Sequence, residues 1–143
     1  NNLHIYPVGR LDKDSTGLVL LTNDGELTNL LTHPRYEHPK EYQITTTEPL
    51  EKKDKEILEK GMKIDNKLIK GIGIKDEIKQ GNKHFATIIL REGKNRQIRK
   101  MLGRLGYNLV SLKRTRINKL KLGNIKTGKY KTIKKEQIMT WQN

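Results

Sequence analysis

The aliphatic run Leu18-Val19-Leu20-Leu21, entered through Gly9-Arg10-Leu11-Asp12-Lys13-Asp14-Ser15-Thr16-Gly17, limits the folds open to this chain more than any other segment. An apolar run this short, closed by the turn residues Asn23-Asp24-Gly25, reads as a fully buried strand over 18–22. The stretch before it is then a glycine-bounded loop delivered to the end of a strand, with Asp12 set among cations. An aspartate in such a turn is most often a cap or an Asx-turn residue. The same placement also suits a carboxylate held for chemistry.

The remaining pattern alternates strands with a few short helices. Residues 1–6 read as a strand ended by Pro7-Val8-Gly9, and 26–32 as a helix with Leu27, Leu30 and Leu31 on one face. A strand is expected over 41–47. An amphipathic helix follows over 51–60, with Ile57 and Leu58 inward and Gly61 as its cap. Between residues 64 and 78, breaks at Asp65-Asn66, Gly71 and Gly73 divide two or three short strands. Gln80-Gly81-Asn82 is a hairpin turn into a strand over 84–91, which carries Phe85, Thr87 and Ile89 on one face.

Asn95 is placed to cap a helix ending near Leu105 and Gly106, with Ile98, Met101, Leu102 and Leu105 as its inward stripe. A strand over 107–117, short segments over 120–123 and 129–133, and a helical turn over 134–140 complete the chain. The alternation is too irregular for a doubly wound parallel sheet. It predicts an α+β domain with a mixed, mostly antiparallel sheet and a few covering helices.

Charge separates the chain into two parts. Residues 1–90 carry 14 basic and 14 acidic side chains, whereas residues 91–143 carry 16 basic side chains against Glu92 and Glu136 alone. The net charge of +14 therefore lies in the C-terminal segment, and clustered cations of this kind favour a polyanionic partner. Arginines interleaved with apolar residues there suit a nucleic-acid surface better than a lysine shell does. With no Cys, disulfides and thiolate metal sites are excluded, and the four histidines have no metal-ligand spacing. No apolar run reaches the length of a membrane span. The expected protein is cytoplasmic, monomeric and free of membrane.

The loop carrying Asp12, the triplet Lys40-Glu41-Tyr42 and the stretch Glu92-Gly93-Lys94-Asn95-Arg96-Gln97-Ile98-Arg99-Lys100-Met101 occur in this order. Taken together, they resemble the bacterial ribosomal RNA pseudouridine synthases of the RsuA/RluB/RluE/RluF type. The resemblance implies that Asp12 is the catalytic residue, that Arg99 forms a salt bridge to it, and that Tyr42 stacks on the target uracil and serves in proton transfer. It implies that Arg10 helps hold the target nucleotide out of its stack. Lys13, Lys40, Arg91, Lys94, Arg96, Lys100, Arg104, Lys113, Arg114 and Arg116 are the further candidate RNA contacts.

The implied reaction isomerises a uridine in ribosomal RNA and needs no cofactor and no metal. Because a stacked base cannot enter a pocket, the uridine must be flipped out. The family's S4 module and the opening strand of its catalytic domain have no counterpart here. Residues 1–143 are therefore expected to be a catalytic domain taken from a longer protein. The competing reading, drawn from charge alone, is a non-catalytic RNA-binding or ribosome-assembly module. In that reading Lys113 to Arg116 is an ordinary charged edge strand. A weaker one is a glycosidase-like enzyme pairing Asp12 with Asp14 or Asp24.

Overall fold

A computed structural model describes residues 4–94 and 96–141. Its first elements are short: β1 (Tyr6–Pro7), β2 (Thr16–Gly17) and β3 (Leu21–Thr22), followed by helix α1 (Gly25–Thr32). Strand β4 (Lys40–Thr46) and helix α2 (Lys52–Lys60) lead into the hairpin of β5 (Gly61–Ile64) and β6 (Lys67–Lys70). Then come β7 (Gly73–Gln80), β8 (Lys83–Leu90), α3 (Gln97–Arg104), β9 (Leu109–Ile117), β10 (Leu120–Lys121) and α4 (Lys135–Met139).

The main sheet runs β10-β9-β4-β8-β7, and β2 shares with β10 the edge of β9 away from β4. Its ladders are antiparallel except where Thr16 and Gly17 of β2 run parallel to Lys113 and Arg114 of β9. This is the α+β, mostly antiparallel architecture that the alternation predicts. Helices α2 and α3 cover one face of it. Ile44, Leu58, Ile88, Ile98, Met101, Leu102 and Leu112 meet there in the larger core. Leu18, Leu27, Ile117, Ile138 and Trp141 form a second, smaller core beside it.

Local chemistry sets several boundaries. Asp24 caps α1 by accepting from the Leu27 amide at 3.1 Å. Gly61 ends α2 at φ 100°, a conformation that other residues rarely adopt. Asp65 and Asn66, at φ 52° and 63°, make the tight turn between β5 and β6.

Several expectations need correction. The run over 18–22 is not a fully buried strand: among the described residues its ladder is the two-residue ribbon of β3 with β1. Leu18 is buried while Leu21 is 53% exposed. Leu58 enters the core but Ile57 is 39% exposed, because adjacent positions on a nine-residue helix point about 100° apart. Residues 113–116 are not an edge, since β9 is flanked by β4 on one side and by β2 and β10 on the other. The expected cap at Asn95 and the start of the expected strand over 1–6 lie outside the described residues.

Candidate active site

A cavity of about 960 Å³ opens where the two cores meet, with a floor and three sides. Its floor is the main sheet, with Lys40 and Tyr42 from β4, Leu90 from β8, and Leu112, Arg114 and Ile117 from β9. One wall is the loop Gly9 to Asp12 with Ser15, and a second is the segment from Arg91 into α3. Residues of the α1–β4 connection, His33 to His38, close the third side.

The loop carrying Asp12 is fixed at both ends, upstream by Val8 N donating to Leu20 O at 2.8 Å. Gly17, at φ 114°, packs so tightly that a Cβ there would land on the Arg114 backbone. Leu18 N donates to Arg114 O, and Arg114 Nε donates to Leu18 O, both at 2.8 Å. Within the loop, Ser15 N donates to Asp12 O at 2.9 Å, a turn that presents the Asp12 side chain to the cavity.

Across the cavity, Arg96 begins α3 in the left-handed region at φ 52°, which bends the chain into the helix. Its guanidinium crosses to the loop and donates twice to Asp14, Nη1 to Oδ1 at 3.1 Å and Nη2 to Oδ2 at 2.9 Å. It also lies 3.7 Å from Asp12 Oδ2. These bonds with Arg96, aided by the Arg99 charge, hold the Asp14 carboxyl below the usual carboxylate range.

Arg99 supports the loop from behind. Its Nη2 donates to Asp14 O at 2.7 Å and to Ser15 Oγ at 3.2 Å. Its buried Nε is 3.3 Å from Asp14 Oδ1 but is not aligned to hydrogen-bond with it. The expected Arg99 to Asp12 salt bridge is thus replaced: Arg99 meets Asp14, and Arg96 is the cation beside Asp12. One helical turn separates the two arginines, so α3 offers both to the loop; both meet Asp14, and Arg96 alone also comes within 3.7 Å of Asp12.

On the floor, the β4 to β9 register sets Tyr42 opposite Arg114, next to a bulge after Glu41. Arg114 is only 4% exposed. Burial holds the Lys40 ammonium below the usual lysine range, and the neighbouring Arg114 charge lowers it further. On the third side, His38 bridges two segments. Its Nε2–H donates to Leu30 O and its Nδ1 accepts from Asn118 Nδ2, both at 3.0 Å.

The structure brings Asp12, Tyr42, Arg10, Lys40, Arg91, Lys94, Arg96 and Arg114 to one cavity. Lys13, Lys100, Arg104, Lys113 and Arg116 do not line it. Arg116 faces Glu41 at 3.4 Å and donates from Nε to Asn118 O, a tie between strand and turn. Asp14 was missed as the anchor of the loop, and so was the segment His33 to His38. Arg96, expected only as an RNA contact, was missed as the cation beside Asp12; its spacing of one turn from Arg99 is the signal that could have found it.

The family model for RNA pseudouridylate synthase matches residues 1–103. The chain belongs to this family. Among pseudouridylate synthases it is 34% identical over 135 residues to the dual-specificity RNA pseudouridine synthase RluF of Escherichia coli K12, covering 94% of this chain and 45% of that one. It is 32% identical over 134 residues to an RNA pseudouridine synthase of Aquifex aeolicus, covering 94% of this chain and 54% of that one. It thus spans about half the length of these relatives. A solved pseudouridylate synthase structure superposes with a TM-score of 0.84 at 27% identity, covering 94% of this chain and 58% of that chain. Among the described residues, no helix is long and apolar enough to cross a membrane.

Proposed function

We propose that residues 1–143 are the catalytic domain of an enzyme that isomerises a uridine in ribosomal RNA to pseudouridine. The observation that carries this reading is the placement of Asp12 on the cavity wall, 3.7 Å from the Arg96 guanidinium, with Tyr42 on the floor of the same cavity. A uridine flipped from its stack enters with its uracil against the Tyr42 ring, and stacking offsets part of the unstacking cost. Asp12 is the nucleophile. The Asp12 carboxylate bonds transiently to the nucleoside as the bond between N1 and C1′ breaks, the uracil turns within the cavity, and C5 bonds to C1′; the proton on C5 passes to solvent, N1 takes one up, and the bond to Asp12 opens to return the free carboxylate.

The basic side chains around the opening, Arg10, Arg91 and Lys94, suit contacts to RNA phosphates. The chain's relatives support the RNA substrate class, and the charge excess of the C-terminal segment agrees with it.

Tritium release from 5-tritiated uridine in bacterial ribosomal RNA tests the reading. Release by the unmodified protein, lost in Asp12→Ala and in Asp12→Asn, is the expected result. RNA binding with equal release from wild type and variants would overturn the assignment of Asp12. Binding with no release from any form would favour a non-catalytic RNA-binding module.

A further inference from the structure

We propose that Arg114 and Lys40 form the receptor for one phosphate of the nucleotide whose uracil occupies the cavity. The inference rests on the RNA reading above and assigns to two floor residues a task that the reaction scheme leaves open.

The argument starts from charge within the cavity. Three carboxylates line it, Asp12, Glu37 and Glu92. Each has a partner elsewhere. Asp12 faces Arg96 at 3.7 Å, and Glu37 pairs with Lys70 at 2.8 Å. Glu92 Oε1 accepts from the Lys70 amide at 2.8 Å and from Gln97 Nε2 at 2.9 Å. Neither Arg114 nor Lys40 has a carboxylate ion-pair partner among the described residues.

Arg114 makes the contrast sharpest. At 4% exposure it is nearly withdrawn from water, and its side-chain hydrogen bond, Nε to Leu18 O at 2.8 Å, engages a neutral carbonyl. A guanidinium buried without an anion is costly to hold. Lys40 adds a second positive charge on the same floor, desolvated and disfavoured by Arg114. An anion entering the cavity relieves both costs. The planar arginine fork matches two phosphate oxygens, while the lysine adds a point charge.

Register supplies the position. Tyr42 lies directly across from Arg114, and Lys40 lies two residues along β4 on the same face as Tyr42. Cross-strand neighbours are separated by about 5 Å, so a base on Tyr42 leaves its own phosphate within reach of the two cations. The tighter fit belongs to a phosphate of the flipped nucleotide itself, because more distant phosphates follow the RNA backbone across the rim.

Titration of the isotopically labelled chain with uridine, uridine 5′-monophosphate, uridine 3′-monophosphate and inorganic phosphate, followed by NMR, tests this. One monophosphate is expected to bind about tenfold tighter than uridine, with a shift at the Arg114 Nε–H. Lys40→Met and Arg114→Lys are each expected to erase that advantage. Lys40→Met keeps the test decisive if Arg114→Lys fails to fold.

Equal affinity for uridine and both monophosphates would overturn the proposal. So would variants that weaken uridine and monophosphate alike, or inorganic phosphate that binds as tightly as the nucleotide. Tritium release is measured in parallel. Release without a phosphate advantage sinks the receptor alone, whereas a phosphate advantage without release sinks the isomerase reading alone.

Discussion

Arg96 grips both carboxylate oxygens of Asp14, at 3.1 and 2.9 Å, while the same guanidinium stands 3.7 Å from Asp12. One side chain thus fixes the loop and charges the site. The position of Asp12 depends on an anchor two residues further along, and on a helix start 82 residues from that anchor.

Breaking the anchor should therefore slow the reaction without unfolding the protein. Asp14→Asn and Arg96→Ala are each expected to lower the tritium-release rate by about tenfold to a hundredfold, the scale of a misplaced catalytic group. Arg96→Lys is expected to behave like Arg96→Ala, because an ammonium cannot reproduce the two parallel bonds. Combined, Asp14→Asn and Arg96→Ala should cost little more than either alone. A double-mutant cycle in kcat, with melting temperatures recorded beside it, checks this.

Acid should loosen the anchor late. The Asp14 carboxyl is held below its ordinary value of 3.8 by Arg96, so the folded state releases the proton more readily than the unfolded chain. Its stabilising effect is complete above that ordinary value and is lost as pH falls through the lower folded one. Carboxyl NMR should place the Asp14 titration below those of exposed aspartates in the same chain. In Arg96→Ala it should move back toward them.

Gly17→Ala should be damaging although no functional atom is removed. A Cβ at φ 114° meets the Arg114 backbone and forces β2 away from β9. The expected loss is about 1–3 kcal/mol of stability, read by thermal or denaturant unfolding. Gly93→Ala, where a Cβ meets nothing within 4 Å, is the control.

Tyr42 should separate stacking from proton transfer. Tyr42→Ala is expected to weaken binding of the RNA substrate by about tenfold, the scale of one base stacked on an aromatic ring. Tyr42→Phe keeps the ring and should keep the affinity, so any fall in its kcat isolates the hydroxyl. Binding isotherms beside single-turnover rates distinguish the two.

Alkali should weaken nucleotide binding early. Burial and Arg114 hold the Lys40 ammonium below the ordinary lysine value of 10.5, so it loses its proton before exposed lysines do. Affinity for uridine monophosphate should fall as pH rises through that depressed value. The alkaline limb should be missing in Lys40→Met, as a pH series of the NMR titration would reveal.

What the sequence disclosed and what it concealed divide along physical lines. Periodicity and turn chemistry placed α2, its Gly61 cap, the Asp65-Asn66 turn and the antiparallel strands, because each is decided by neighbours along the chain. The cavity's membership was partly legible, since Asp12 and Tyr42 belong to recognisable blocks. The pairing inside it was not. Arg96 and Arg99 both lie near the start of α3, and the choice of aspartate depends on where a loop more than 80 residues away comes to rest. Burial of Arg114 was equally hidden, because a basic tetrapeptide reads as an exposed edge until β2 and β10 are known to cover it.

Strand β9 both seats the Asp12 loop, through Arg114, and completes the floor beneath it. Synthesis delivers that strand long after the loop and β4 have emerged, so an unfinished chain carries its aspartate with nothing beneath to hold it. Assembly of the pocket is consequently a closing event, governed by contacts distant in sequence, which form slowly. Until β9 has been made, a growing polypeptide holds the Asp12 loop without the strand that seats it.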